Sequence, residues 1–310
     1  MNIKAAVGIL IDSDNRVLLA QRPEAKTWSS WWEFPGGKLE ENESPRDALT
    51  RELKEEIGID VIVSERWVTR TYSYDEHNVT LYFFKVTLWS GKPASMENQN
   101  LRWVSPLEVD KSTILPPNVF ILNALSFPDC YAITNIEETS KKLFYKQLLA
   151  QLNQGLKLIQ IREKNLLPID LLEACKEILE ICKPFSAKLI LNSNIKLAYD
   201  LKVDGIHLTS LELKNLIDKP KNLIIGASCH SIEDIRNAEE KGVDFAVLSP
   251  VQKTISHPKN KPMGWAAFSK IINNSNIPVY ALGGMKKINI KDAHSFGSVG
   301  IASQREIWKG

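Results

Sequence analysis

Residues 36–59 read GGKLEENESPRDALTRELKEEIGI, and their pattern predicts a helix in the first half of the chain. Ser44 followed by Pro45 predicts the start of a helix, because the hydroxyl can cap the first amides and the proline ring suits the first helical position. Gly58 predicts its end. The buried face of the helix is predicted from apolar residues that recur every four positions: Leu49, Leu53 and Ile57.

Three carboxylates follow one another on the same helix. Glu52, Glu55 and Glu56 fall within an arc of roughly 100° beside the apolar face. Carboxylates this close repel one another unless a cation neutralises them, and Mg²⁺ prefers such oxygen ligands. Arg51 can pair with one carboxylate and fix its orientation. Taken alone, the same residues also suit an ordinary solvated helix face.

The spacing of a longer set of residues favours the metal site over the solvated face. This set is Gly37, five residues, Glu43, seven residues, Arg51-Glu52-Leu53, one residue, Glu55-Glu56, one residue and Gly58-Ile59. It resembles the signature of the Nudix hydrolases at every specified position. The resemblance extends over about residues 3–125 and is closest to the MutT-type enzymes, the 8-oxo-dGTP diphosphatases. It implies an α+β domain with a mixed sheet.

The resemblance also implies a set of metal and catalytic residues. Glu56 and the carbonyl of Gly36 would bind Mg²⁺, with Mn²⁺ as an alternative, and Glu52 and Glu55 would complete the cluster. One glutamate would activate the attacking water. Glu52 ranks first for this role, and Glu55 and Glu97 are the alternatives. The reaction would release a nucleoside monophosphate and pyrophosphate, which would contribute to nucleotide-pool sanitation and DNA repair.

The nucleotide would be held by residues outside the helix. By the resemblance, Arg22 would contact the phosphates and Asn118 would read the purine edge, since an amide both donates and accepts. Locally, Asn118 could equally be the N-cap of a helix near residues 117–125. Phe34 could pack against the base or belong to the core. The other candidates lie in the strand and loop before the helix: Glu33, Pro35 and Gly36.

The second half of the chain has a different rhythm, in which short apolar strands alternate with helical stretches. The strands are predicted at 130–134, 157–162, 188–192, 204–208, 223–228, 244–249, 278–282 and 298–302. Eight strands with helical crossovers predict a (β/α)₈ TIM barrel, with a doubly wound open sheet as the alternative. We expect a Nudix domain over residues 1–127 and a barrel domain over residues 128–310.

Polar residues and glycines stand where the predicted strands end. Their order resembles thiamine phosphate synthase and the related thiazole tautomerases over about residues 130–305. The resemblance implies a site for a phosphorylated thiazole or pyrimidine formed by Gln160, Arg162, Lys164, Asn192, Ser228, Gly284, Ala302 and Ser303. Three departures put catalytic condensation in doubt. Ser193 replaces a metal-binding aspartate, Glu212 replaces the second, and residues 254–257 lack the expected threonine-lysine run.

Composition limits the remaining classes of function. The formal charge of the 310-residue chain is only +2, which gives no basic field for a nucleic-acid polymer. The four cysteines show no metal or disulfide spacing, and no apolar run reaches the length of a membrane span. We therefore expect a cytoplasmic enzyme, with its oligomeric state open. Three hypotheses remain: a nucleotide-cleansing hydrolase with a ligand-binding barrel, a bifunctional enzyme with active synthase, or a hydrolase of thiamine-pathway diphosphates.

Overall fold

The computed structural model describes residues 2–23, 28–73, 77–254, 261–273 and 275–309. The chain divides into two compact units. The first comprises Met1–Ser126 with His294–Gly297, and the second comprises Phe127–Ala293 with Ser298–Gly310.

Among its described residues, the first unit contains two small sheets and two α-helices. Its elements are β1 (Asn2–Leu10), β2 (Val17–Gln21), β3 (Trp32–Glu33), β4 (Gly36–Lys38), α1 (Pro45–Ile57), β5 (Asp60–Ser73), β6 (Asn78–Ser90), β7 (Leu101–Val104) and α2 (Pro116–Ala124). One sheet has the order β4-β1-β6-β5 and the other the order β3-β2-β7. Strands β1 and β6 are parallel and the remaining pairs are antiparallel, which confirms the predicted mixed sheet.

Helix α1 forms as its sequence predicts. The side chain of Ser44 accepts a hydrogen bond from the amide of Asp47, Pro45 opens the helix, and Gly58 ends it with φ of 71°. The apolar face packs on the sheet through side chains that are fully buried: Ala48, Leu49, Leu53 and Ile57. This packing fixes the rotation of α1, so that the carboxylates beside the apolar face lie along strand β4.

The second unit is a closed barrel of eight parallel strands. They are β8 (Cys130–Ile133), β9 (Leu158–Ile161), β10 (Lys188–Asn192), β11 (Gly205–Leu208), β12 (Ile224–Cys229), β13 (Phe245–Leu248), β14 (Val279–Leu282) and β15 (Gly300–Ser303). Each pairs with its neighbours and β15 returns to β8, which confirms the barrel and rejects the open sheet. The crossover helices are α3 (Lys141–Asn153), α4 (Pro168–Cys182), α5 (Ile195–Leu201), α6 (Ser210–Lys214), α7 (Ile232–Glu240), α8 (Gly264–Ile272) and α9 (Ile290–Ser295).

The barrel interior is packed with aromatic side chains. The ring of Phe245 lies 5.1 Å from the ring of Tyr131 and 5.7 Å from that of Tyr280, centroid to centroid. All four cysteines are free thiols. No helix in the described part of the chain has the length and apolar character needed to cross a bilayer.

Candidate functional site

The carboxylates of α1 meet the backbone of strand β4. The amide of Gly36 donates a hydrogen bond of 2.8 Å to the Oε2 atom of Glu56. A β-carbon built on Gly37 would lie 2.2 Å from the carboxyl carbon of Glu52, so this carboxylate rests directly on the Gly37 backbone. Glu55 is more exposed than Glu52, at 59% against 21%.

Arg51 joins several of these carboxylates. Its Nη1 atom donates to Glu52 at 2.9 Å and to Glu55 at 3.1 Å, while Nε and Nη2 donate to the two oxygens of Glu43, each at 2.9 Å. Its Nη2 atom also donates to the carbonyl of Lys38 at 3.0 Å. Hydrogen bonding to Glu43 is the main reason that the pKa of Arg51 is raised, and the same bond lowers the pKa of Glu43. The charged forms of Arg51 and Glu43 are therefore favoured, and the bond from Arg51 orients the Glu52 carboxylate.

The donor set of this cluster suits a hard divalent cation. Its members are carboxylate oxygens beside a glycine backbone, and Mg²⁺ usually takes one or two carboxylates while keeping several waters. Within residues 2–23, 28–73, 77–254, 261–273 and 275–309, no three His, Cys, Asp or Glu side chains are already grouped as a metal cage. The cluster fits an ion that is shared with substrate phosphates better than a permanent structural metal.

The predicted substrate residues are placed differently from one another. The Nη1 atom of Arg22 donates to both carboxylate oxygens of Glu33, at 2.8 and 2.7 Å, which pairs Arg22 with the last residue of strand β3. Phe34 is only 2% exposed, which places its ring in the core. The carbonyl of Pro35 accepts a hydrogen bond from the amide of Gly8 at 2.8 Å, and this bond holds the loop against β1.

Asn118 is not a helix cap, and that local interpretation of the sequence is wrong. Helix α2 begins at Pro116 with Leu115 at the cap position, because two prolines suit its first turn. Asn118 therefore lies inside the helix, where it is 5% exposed. Its Oδ1 atom accepts a hydrogen bond of 3.4 Å from the amide of Phe34, which links α2 to the segment between β3 and β4.

Sequence reasoning did not single out two residues that organise the cluster. Glu43 is part of the signature, yet its role as the main partner of Arg51 becomes visible only in the structure. Gln99 is buried, and its Nε2 atom donates to the carbonyl of Glu56 at 3.0 Å. The predicted Glu97 lies in the same loop. The only available signal was the Glu97-Asn98-Gln99 run itself.

In the barrel, a basic residue lines a cavity at the carboxyl ends of β8, β9 and β15. The cavity measures about 440 Å³, and its charged lining is both basic and acidic: Arg162, Lys164, Arg305, Glu137, Glu138 and Glu163. Arg162 is half-buried, which lowers the pKa of its guanidinium, and its amide donates to Thr134 at 2.9 Å. A partly desolvated guanidinium favours an anionic ligand.

A chain of polar side chains crosses the barrel interior. Gln160 donates to the hydroxyl of Tyr131 at 2.9 Å, this hydroxyl lies 3.3 Å from Nδ1 of His207, and Nε2 of His207 lies 3.0 Å from the hydroxyl of Ser228. Burial, together with the charge of Arg162, lowers the pKa of His207 to about 3. The imidazole is therefore neutral. Tyr131 and His207 were not among the predicted ligand residues.

The position of the missing metal carboxylate is occupied by a hydrogen-bonded cluster. Ser193 receives a hydrogen bond from Asn192 at 2.9 Å and donates to Oε2 of Glu212 at 3.0 Å. The same oxygen accepts from the amide and the hydroxyl of Thr209, at 2.7 and 2.8 Å. One carboxylate that already accepts three hydrogen bonds is a poor site for Mg²⁺, which needs several oxygen ligands. The residues present here do not fit a metal.

The predicted phosphate cradle lies at the ends of β14 and β15. Gly283 and Gly284 have φ values of 108° and 69°, which other residues rarely adopt. Ser303 is buried and donates to the carbonyl of Met285 at 3.0 Å, so the two strand ends are joined, with Ala302 fully buried beside them. Of the divergent run, only Thr254 belongs to the described residues, and residues 255–257 lie outside them.

Comparisons with known proteins divide at the same place as the fold. The sequence model of the NUDIX domain matches residues 1–121, and that of thiamine monophosphate synthase matches residues 130–307. The 8-oxo-dGTP diphosphatase of Proteus vulgaris is 47% identical over 28% of this chain and 78% of its own length. "Putative thiamine-phosphate synthase 2" of Aquifex aeolicus is 36% identical over 57% of this chain and 96% of its own length.

A solved structure resembles the barrel. Thiamine phosphate pyrophosphorylase from Pyrococcus furiosus shares 25% identity with this chain, covers 58% of it and 90% of its own length, and superposes with a TM-score of 0.50.

Proposed function

Because the chain belongs to the Nudix hydrolases through its first half and to the thiamine monophosphate synthase family through its second, we propose that it is a Mg²⁺-dependent nucleoside triphosphate diphosphatase joined to a ligand-binding barrel. Residues 1–127 would form the hydrolase domain and residues 128–310 the barrel domain. The preferred substrate is an oxidised purine nucleotide such as 8-oxo-dGTP, and its products are the monophosphate and pyrophosphate. Such a reaction would remove oxidised nucleotides from the nucleotide pool.

The observation that carries the hydrolase proposal is the arrangement of carboxylates against strand β4. Glu52 lies on Gly37, and Glu56 is bonded to the amide of Gly36. Glu52, Glu55 and Glu56, with the Gly36 carbonyl, would hold Mg²⁺ or Mn²⁺. The ion would stabilise the negative charge that develops on the diphosphate.

Removal of the proton from the attacking water is assigned to a glutamate side chain. Glu52 is the first candidate to remove the proton of the attacking water, with Glu55 and Glu97 as alternatives. Arg51 supports this role, because its bond of 2.9 Å orients the Glu52 carboxylate.

Recognition of the nucleobase is assigned to Asn118. The side chain is buried on α2 and contacts the amide of Phe34, two residues before Gly36, so it lies close to the predicted nucleotide site. Its amide offers both a donor and an acceptor, which an oxidised guanine edge requires. The similarity to an 8-oxo-dGTP diphosphatase supports the same choice of base. Arg22, held by Glu33, is the candidate contact to the phosphates.

The hydrolase proposal is tested with the purified full chain and a substrate panel. We expect 8-oxo-dGTP to be cleaved faster than dGTP, CTP or thiamine diphosphate, with pyrophosphate rather than phosphate as the inorganic product. Glu52→Gln and Glu56→Gln should each lower kcat at least ~100-fold, since each removes a metal ligand or base. Glu41→Gln, which changes an exposed carboxylate before the helix, should leave kcat unchanged. Rapid turnover of thiamine diphosphate alone would favour the thiamine-pathway alternative.

The barrel is proposed to bind a phosphorylated thiazole or pyrimidine without condensing the two. Arg162 and the Gly283-Gly284 backbone can bind phosphate without a metal. Condensation must release pyrophosphate, and the Ser193–Glu212 cluster offers no magnesium site to support that departure. Calorimetry with thiazole phosphate should show binding that does not depend on magnesium. Strong thiamine phosphate synthesis by the full chain would instead establish the bifunctional alternative.

A further inference from the structure

The loop between β6 and β7 is attached to the end of helix α1. The last carbonyls of any helix lack partners within the helix. Here the amide of Met96 donates to the carbonyl of Glu56 at 3.1 Å, and the amide of Ala94 donates to that of Ile57 at 3.0 Å. The side chain of Gln99 adds a third bond, 3.0 Å long, to the carbonyl of Glu56. The loop is therefore hydrogen-bonded to Glu56, the residue that is expected to bind the metal.

Gln99 also organises the loop internally. Its Oε1 atom accepts hydrogen bonds from the amide of Glu97, at 3.0 Å, and from the hydroxyl of Ser95, at 2.8 Å. Asn98 has φ of 61°, and asparagine tolerates this left-handed conformation better than most residues. The bend brings the Gln99 side chain back onto the Glu97 backbone. A single side chain, only 6% exposed, thus connects the backbone of Glu97 to that of Glu56.

We propose that Gln99 is a positioning residue for hydrolysis, which acts by holding Glu97 beside the metal-binding end of α1. The inference rests on the proposed function, in which Glu97 is one of the carboxylates that serve the reaction. The side chain of Glu97 is exposed, and a hydrogen bond within the loop constrains the position of its backbone. The amide bond to Gln99 supplies this constraint. Without the Gln99 side chain, the loop would lose this link between the Glu97 amide and the Glu56 carbonyl.

The test is a double-mutant cycle in the full chain. Gln99→Ala should lower kcat for 8-oxo-dGTP about 10-fold or more with little change in KM, as the loss of outer-shell partners does in other sites. Glu97→Gln should also lower kcat. The double variant should be no slower than Glu97→Gln alone, because Gln99 acts only through Glu97. A purely structural role would make the two losses multiply.

Asn100→Ala is the matched control. Asn100 is the next residue of the chain, and its side chain donates to Gln21 at 2.8 Å, away from α1. We expect this variant to retain the wild-type kcat. Amide exchange provides a measurement independent of turnover: the amide of Glu97 should exchange faster in Gln99→Ala than in the wild type or in Asn100→Ala, while the amides in the middle of α1 remain protected.

The possible failures can be told apart. Wild-type kcat in Gln99→Ala or in Glu97→Gln, or multiplicative losses in the double variant, would overturn the positioning role while leaving the hydrolase assignment intact. A wild-type chain that hydrolyses no nucleotide would refute the proposed function and the positioning role together.

Discussion

Gly37→Ala should separate activity from stability in the first unit. The φ angle of Gly37 lies outside the left-handed region, so alanine can adopt the backbone conformation. The new methyl would lie 2.2 Å from the carboxyl carbon of Glu52. Carbon atoms pack at 3.5 Å or more, so the Glu52 carboxylate must retreat by roughly 1.3 Å. A displacement of about 1 Å can cost ~100-fold in rate, and we expect a loss of that size in kcat.

The expected cost in stability is small, because the atoms that must move belong to the end of a flexible side chain. The displaced Glu52 loses its bond to Arg51, and ion pairs this close to solvent contribute about 1 kcal/mol or less. Replacing glycine also reduces the freedom of the unfolded chain, which offsets about 0.4–1 kcal/mol. The net change in the free energy of unfolding should therefore stay within ~1 kcal/mol.

The assay compares kcat for pyrophosphate release with the thermal midpoint of the same preparation. Gly36→Ala serves as the contrast, because Gly36 has φ of 143° and its new methyl would lie 2.2 Å from the backbone oxygen of Ala6. This variant should lose stability as well as activity, since displacing backbone atoms costs more free energy than displacing the end of a side chain. Wild-type kcat in Gly37→Ala would show that Glu52 is not needed where the structure places it. A collapse of its thermal midpoint would show that the site is rigid, contrary to the argument.

Three further outcomes are expected. Asn118→Ala should abolish the preference for 8-oxo-dGTP over dGTP, because a lost buried partner costs ~1–3 kcal/mol; unchanged discrimination, measured as the ratio of kcat/KM values, would remove Asn118 from base recognition. Arg162→Gln should weaken thiazole phosphate binding in calorimetry at least ~10-fold without changing hydrolysis, and equal affinity would place the phosphate elsewhere. The pKa of His207 in the folded chain is about 3, so between pH ~6.5 and 3 only the unfolded chain binds the proton. The stability that the neutral His207 contributes is therefore complete above pH ~6.5 and is lost as the pH falls towards 3. The thermal midpoint of the barrel should fall less steeply with acid in His207→Gln, and equal slopes would contradict the assignment.

The sequence was sufficient to predict a helix or strand wherever the residues that determine its ends and its buried face lie within or next to that element. Helix α1 begins and ends within its predicted limits, because Ser44, Pro45 and Gly58 act on their immediate neighbours. The eight barrel strands lie within a few residues of their predicted positions, because strands buried on both faces appear as continuous apolar runs. Repetition of strand and helix was then enough to favour closure.

Sequence was insufficient where a polar side chain could serve two partners. Asn118 has the chemistry of both a helix cap and a distant hydrogen-bond partner, and only the folded chain shows that Pro116 starts the helix and that Phe34 provides the partner. Ser193 and Glu212 are 19 positions apart, yet parallel strand ends bring them into one hydrogen-bonded cluster. From the sequence, the two substitutions only put a metal site in doubt. In the structure, Oε2 of Glu212 already accepts hydrogen bonds from Ser193 and Thr209, which is why the cluster does not fit a metal.

The two folds and the carboxylate signature could be predicted from the chain alone, since they depend on residue spacing within one element or on the order of elements. The chemical class of the first half followed from the resemblance of that signature to the Nudix hydrolases. The tertiary structure alone decided which groups meet. It placed Glu52 on Gly37, made Glu43 the main partner of Arg51 and joined Gln99 to Glu56. The physical reason is that these contacts depend on how one element packs against another. A side chain selects its partner only after apolar burial has fixed the distance and rotation between them.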